Sequence, residues 1–178
     1  ASLAATDPAG ARDMCIQLGD YLRGTLKSGS ELQPLEEELK QVRRFLRVES
    51  VRYGDRLQVS ENIDDRCLAV PVPPLLLQPL VENALKHGIG GLVEGGEVQI
   101  GARCGSELLT VWLKNPVVPE SASKKGAGVG LANVQHRLEK VFGDEARLRC
   151  GRSGETYRAE VVIPLTEESA ETKGEADG

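Results

Sequence analysis

Four apolar residues spaced four apart, Met14, Leu18, Leu22 and Leu26, mark one face of a first helix. Asp7-Pro8 supplies an N-cap and a first-turn proline ahead of it, and Ser28-Gly29-Ser30 breaks it. A second helix is predicted from Pro34 to Tyr53 on the stripe Leu35, Leu39, Val42, Leu46 and Tyr53, with Gly54 placed to stop it. Its near-heptad spacing, interrupted by Glu49, fits a hairpin packed on the following domain and a dimer seam equally well. From Leu57 the period shortens. Leu57–Val59 and Cys67–Val70 read as strands, and Val72-Pro73-Pro74 opens an apolar helix over Leu75 to His87. Val98, Ile100 and Ala102 alternate in the first arm of a hairpin whose second arm is Leu109 to Lys114. A helix from Leu131 to Phe142, striped by Leu131, Val134, Leu138 and Val141, stops at Gly143. Strands near Ala146–Cys150 and Tyr157–Ile163 close the chain's ordered part. This order predicts an α+β fold: a two-layer sandwich of a mixed sheet with helices on one face, preceded by a helical segment.

Composition narrows the picture. The 178 residues allow one ordinary core, and with two Phe, one Trp and three Tyr that core must be aliphatic. A net charge of −5 disfavours a nucleic-acid surface while leaving room for a phosphate ligand held by a local cation or a helix terminus. Cys15, Cys67, Cys104 and Cys150 form no CxxC pair, which gives zinc no support and fits a reducing cytoplasm. No apolar run is long enough to span a bilayer, so membrane contact is not expected of this stretch. The acidic, small-residue stretch over 167–178 is expected to be unstructured.

Two stretches carry candidate chemistry. In Gln78-Pro79-Leu80-Val81-Glu82-Asn83-Ala84-Leu85-Lys86-His87-Gly88, the apolar side is Leu77, Leu80, Val81 and Ala84, while Asn83, Lys86 and His87 share the other face. An amide oxygen, an ammonium and an imidazole aimed together suit a Mg²⁺-bound polyphosphate. Taken alone, the pattern is also that of a solvated helix face with a histidine near a C-terminus. In Gly126-Ala127-Gly128-Val129-Gly130-Leu131-Ala132-Asn133, alternating glycines run into a helix and present backbone N–H groups and the positive helix end to an anion. No Gly-Lys-Ser/Thr follows, so this is not a Walker loop. The preceding stretch, Val117 to Lys125, has the composition of a flexible lid.

Together the two stretches resemble the ATP-binding domain shared by histidine kinases, gyrase, Hsp90 and MutL, the Bergerat fold. The match is nearest to the LytS-like sensor histidine kinases, carried by Pro73 through Gly88, Gly126 to Leu131, Asn133, Arg137-Leu138 and Gly154-Glu155-Thr156. Leu35 to Leu57 is similar to the segment that precedes that family's kinase core. The resemblance implies a dimeric, ATP- and Mg²⁺-dependent protein-histidine kinase that signals to a response regulator, this portion lying in the cytoplasm, either as part of a cytoplasmic protein or as the cytoplasmic part of an inner-membrane protein. It implies Asn83 as the Mg²⁺ ligand, Lys86 and His87 on the phosphates, and Gly126, Gly128, Gly130 and Leu131 in the lid and phosphate loop. Thr156 falls on the adenine side, and Glu82 is the candidate to polarise the nucleophile or to pair with Lys86. Where the superfamily usually places an adenine-reading Asp, this sequence has Asn115, a neutral and weaker acceptor. Neither His87 nor His136 sits in an acceptor-like sequence, so the phosphorylated histidine is expected upstream of Ala1. The implied organisation is a helical returning arm and linker over 1–56, an ATP-binding domain over 57–166 and the tail over 167–178. A nucleotide-independent scaffold and a serine kinase of the anti-sigma type are the alternatives. Asn115 supports the first, and the helices before Leu57 count against the second.

Overall fold

The computed structural model describes residues 32–117 and 129–165. The chain divides into two units, Ala1–Glu31 and Leu32–Gly178. The first, with the predicted helix over Met14 to Leu26, lies outside the described residues, as do Gly126, Gly128 and the acidic tail.

Helix α1 spans Leu35–Tyr53 and buries Leu35, Leu39, Val42 and Leu46 on one side. Glu36, Glu37 and Glu38 load its first turn with negative charge, which the helix dipole favours, and Gly54 at φ 58° ends it. Its leading N–H groups find acceptors elsewhere in the chain: Leu35 donates to the Val70 carbonyl at 2.9 Å and Glu36 to that of Leu68 at 3.0 Å. This explains one departure from the expected elements. Cys67–Val70 is a turn, with a 3₁₀ segment at Asp65–Cys67, because its carbonyls face the start of α1 and are not available to a sheet ladder. Short strands β1 (Gln33–Pro34) and β3 (Pro71–Val72) pair antiparallel beside it.

Strands β2 (Leu57–Ile63), β4 (Gly96–Cys104), β5 (Leu108–Pro116), β6 (Arg147–Ser153) and β7 (Thr156–Pro164) form one sheet in the order β2-β4-β5-β7-β6. Only β2 and β4 run parallel, so the sheet is mixed. Val98, Ile100 and Ala102 on β4, Leu109, Val111 and Leu113 on β5, and Ala159, Val161 and Ile163 on β7 are all buried. They face helices α1, α2 (Gln78–His87) and α3 (Val129–Phe142), with which they form one aliphatic core. The opposite sheet face is polar. There Trp112 lies over Gly101, which has no Cβ to obstruct it, between the guanidinium groups of Arg103 and Arg158 at 5.6 and 5.3 Å. The α+β arrangement expected from the hydrophobic pattern is therefore the observed one.

A second departure concerns α2. It begins at Gln78, three residues later than expected, because Leu75 stands at φ 58° in the left-handed region and cannot continue a helix. Helix formation starts when the Leu77 carbonyl accepts from the N–H groups of Leu80 and Val81, both at 3.1 Å.

Candidate functional site

Helix α2 buries Leu80, Val81, Ala84 and Leu85, so Asn83, half-buried, and Lys86 and His87, exposed, are left on its outer side. Glu82 is half-buried and accepts from Gln78 Nε2 at 2.8 Å, one helical turn earlier. All four predicted residues of this stretch thus ride on one short, core-anchored helix.

The start of α3 meets the same helix. A Cβ on Gly130 would stand 3.4 Å from Cβ of Pro79, which lies one turn before Asn83. The first turn of α3 therefore lies beside the polar face of α2. Leu131 is buried and seats this end of α3 on the core. At the other end of α2, Gly88 lies against β5. A Cβ there would fall 2.3 Å from Asn115 Nδ2 and 2.6 Å from the carbonyls of Ala84 and Pro116. Only glycine permits this approach, and it presses Asn115 against the C-terminus of α2.

Asn115 is 3% exposed. Its Nδ2 donates to the Pro116 carbonyl at 2.8 Å, which sets the amide orientation, while Oδ1 is buried without a hydrogen-bond partner among the described residues. An orphaned buried acceptor costs about 1–3 kcal/mol, so it marks a place where a donor is wanted. Tyr157 is its register partner on β7, and burial, with the Cys150 thiol beside it, pushes the tyrosine hydroxyl upward, the signature of a poorly solvated corner. Thr156 pairs with Pro116 and is exposed, and strand alternation turns its side chain to the face away from Asn115. The structure thus gathers Glu82, Asn83, Lys86, His87, Asn115, Gly130 and Leu131 around α2 and leaves the Thr156 side chain apart. A shallow concavity of about 570 Å³ on the polar sheet face, lined by Trp112, Lys114 and Arg158 among others, touches none of them.

Two residues that hold this region were not singled out as functional from the sequence. Glu38, on α1, is 1% exposed, and its two oxygens accept the N–H of Leu75 at 2.7 Å and of Leu77 at 2.9 Å. Burial pushes its carboxyl above the ordinary range, against the opposing pull of the Leu77, Leu75 and Leu76 amides and of the Gln33 side chain. Arg137, on α3, donates to the carbonyls of Pro74 and Leu75, the latter at 3.0 Å. The available signal was an acidic residue three positions after Leu35 and four before Val42, inside the buried arc of α1.

Comparison with known proteins bears on the fold and the family. A family model described as histidine kinase matches residues 1–57. Sensor protein LytS of Staphylococcus saprophyticus is 31% identical over 93% of this chain and 31% of its own length. Among solved structures, the catalytic domain of histidine kinase ThkA matches with a TM-score of 0.60 at 20% identity, over 76% of this chain and 95% of that one. Full-length ShkA in complex with AMPPNP matches with a TM-score of 0.56 at 18% identity, over 78% and 32%. The fold is that of a histidine kinase catalytic domain. By its sequence, the chain belongs to the LytS-type sensor histidine kinases. It spans 26% to 31% of the length of the LytS proteins it matches. Among the described residues no helix is long and apolar enough to cross a membrane.

Proposed function

We propose that this chain binds ATP with Mg²⁺ and is the catalytic portion of a two-component sensor kinase that passes the γ-phosphoryl group to a histidine outside the chain. The observation that supports it most is the buried Oδ1 of Asn115, without a hydrogen-bond partner among the described residues, which an adenine amino group would satisfy. From there α2 leads past Lys86 and Asn83 towards the start of α3, an order that matches base, then phosphates and metal. Asn83 would offer Mg²⁺ a neutral oxygen, and Lys86 and His87 would neutralise phosphate charge. When bound, Mg²⁺ supplies charge neutralisation at the transferring phosphoryl group. The Gly130 end of α3, together with Gly126 and Gly128, would wrap the phosphates through backbone N–H groups, with Leu131 anchoring that wrap to the core. Any contribution of Thr156 to the adenine side would come through its backbone. Glu82, held by Gln78, is the candidate to polarise the incoming imidazole. The transfer asks more of positioning than of a strong base. Dimerisation of the parent protein, a response regulator as phosphoryl receiver and a cytoplasmic setting follow from the same reading.

The test is a titration with Mg²⁺ and a non-hydrolysable ATP analogue, followed by thermal unfolding and calorimetry. At about a hundred times Kd the ligand should add about 2.7 kcal/mol of stability. Asn83→Ala should lose most of that gain with Mg²⁺ present and little of the weaker Mg²⁺-free binding. No shift in either protein would replace this reading with that of a nucleotide-independent scaffold.

A further inference from the structure

Leu75 is the one non-glycine residue at positive φ among the described residues, at 58°. Leucine adopts that region only under constraint, since its Cβ crowds the following carbonyl there. The constraint comes from two helices at once. From α1, the Glu38 carboxylate takes the Leu75 N–H on one oxygen and the Leu77 N–H on the other, and Gln33 Nε2 also donates to it. From α3, Arg137 grips the Pro74 and Leu75 carbonyls on the opposite edge of the turn.

This turn runs directly into the nucleotide helix. Leu77 is the N-cap residue of α2, and no side chain of its own caps that helix. The N–H held by Glu38 is therefore that of the residue whose carbonyl starts the α2 ladder. A helix is stiff, so the setting of its first residue fixes the direction of every later side chain. A rotation of about 20° would sweep a group at the helix surface by about 2 Å, enough to take an amide oxygen off a metal.

We propose that Glu38, opposed by Arg137, is a positioning residue of the nucleotide site: by clamping the strained Leu75–Leu77 turn it sets the rotation of α2 that aims Asn83, Lys86 and His87. The proposal rests on the Mg-ATP reading of that face. Because the carboxylate belongs to α1, a displacement of α1 is transmitted to the start of α2 without any contact between α1 and the ligand.

The experiment uses the whole chain with Glu38→Gln, Leu75→Gly, the double variant and Arg137→Lys. Glutamine keeps size and one acceptor but turns an NH₂ towards one of the two backbone donors. Glu38→Gln should weaken Mg-ATP binding by about tenfold and speed amide exchange at Leu75 and Leu77. Leu75→Gly, free to adopt φ 58° without a clamp, should restore affinity in the double variant to within about threefold of wild type. Arg137→Lys probes the same turn from α3 should Glu38→Gln fail to fold, and it should show the same faster exchange and weaker binding. Unaltered affinity in Glu38→Gln, or a loss that follows global stability and is not recovered by Leu75→Gly, overturns the proposal. The Asn83 side-chain amide resonance gives a ligand-free readout. If wild type binds no Mg-ATP, the nucleotide reading falls, while a shift of this resonance in Glu38→Gln that reverts in the double variant upholds the positioning role. An unshifted resonance with unchanged Leu75 and Leu77 exchange defeats it.

Discussion

At the scale of the residue, Asn115 shows how one atom's environment marks a candidate site. Its Nδ2 is committed to the Pro116 carbonyl, and Gly88 packs so close that the amide cannot swing away. The free acceptor therefore points in one direction. Asn115→Asp would remove the donor and set a carboxylate against the Pro116 carbonyl in a buried corner. We expect the free protein to lose about 1–3 kcal/mol in urea unfolding, and the nucleotide-induced rise in Tm to be larger than in wild type because a charged acceptor binds the adenine donor more strongly. An equal rise in both proteins would place the base elsewhere. That a polar residue was needed near the end of β5 was legible in the sequence. That its oxygen would be buried without a hydrogen-bond partner among the described residues was not, since this depends on Gly88 and Ala84 approaching from another element.

At the scale of the element, α2 is short, and its position is set from outside. Its apolar side is fixed by burial of Leu80, Val81, Ala84 and Leu85. Its start is tied to α1 through Glu38, and the segment after it is tied to the 3₁₀ turn that follows α1 (Gly54–Arg56), where Arg56 donates to the Leu92 carbonyl at 2.6 Å. Gly88 is the point where this helix touches β5 most closely. Gly88→Ala would force Ala84, Asn115 and Pro116 apart, and we expect a loss of about 1–3 kcal/mol with Mg-ATP affinity falling further than stability explains. Calorimetry at a temperature where both proteins are fully folded separates the two effects. The ends of α1 and the stop of α3 could be read from sequence because periodicity and a following glycine are local signals. The start of α2 could not. Leu75–Leu77 is apolar and helical in pattern, yet a carboxylate 37 residues before Leu75 takes its backbone donors.

At the scale of the whole molecule, α1 and the sheet share one core. Leu35, Leu39 and Val42 are 0% exposed, in the same cluster as Leu80, Val111 and Ile163. Each such side chain contributes about 1.5–3 kcal/mol of burial, against a total stability of about 5–15 kcal/mol for a typical domain. A chain beginning at Leu57 should therefore fail to unfold cooperatively in urea and should bind a hydrophobic dye, whereas one spanning 32–165 should show a single sharp transition. A sharp transition at an unchanged midpoint in the shorter chain would show that α1 is dispensable to the fold. By itself the sequence determined the fold class and the polar face of α2, because hydrophobic period and residue chemistry are carried by neighbours in the chain. Only the tertiary structure decided that the Asn115 acceptor is buried and unsatisfied among the described residues, that the Thr156 side chain faces away from it, and that Glu38 and Arg137 grip the entry to α2. The physical reason is common to all three: each depends on strand register, hydrogen-bonding groups or close contacts brought together from distant parts of the chain, which no local pattern records.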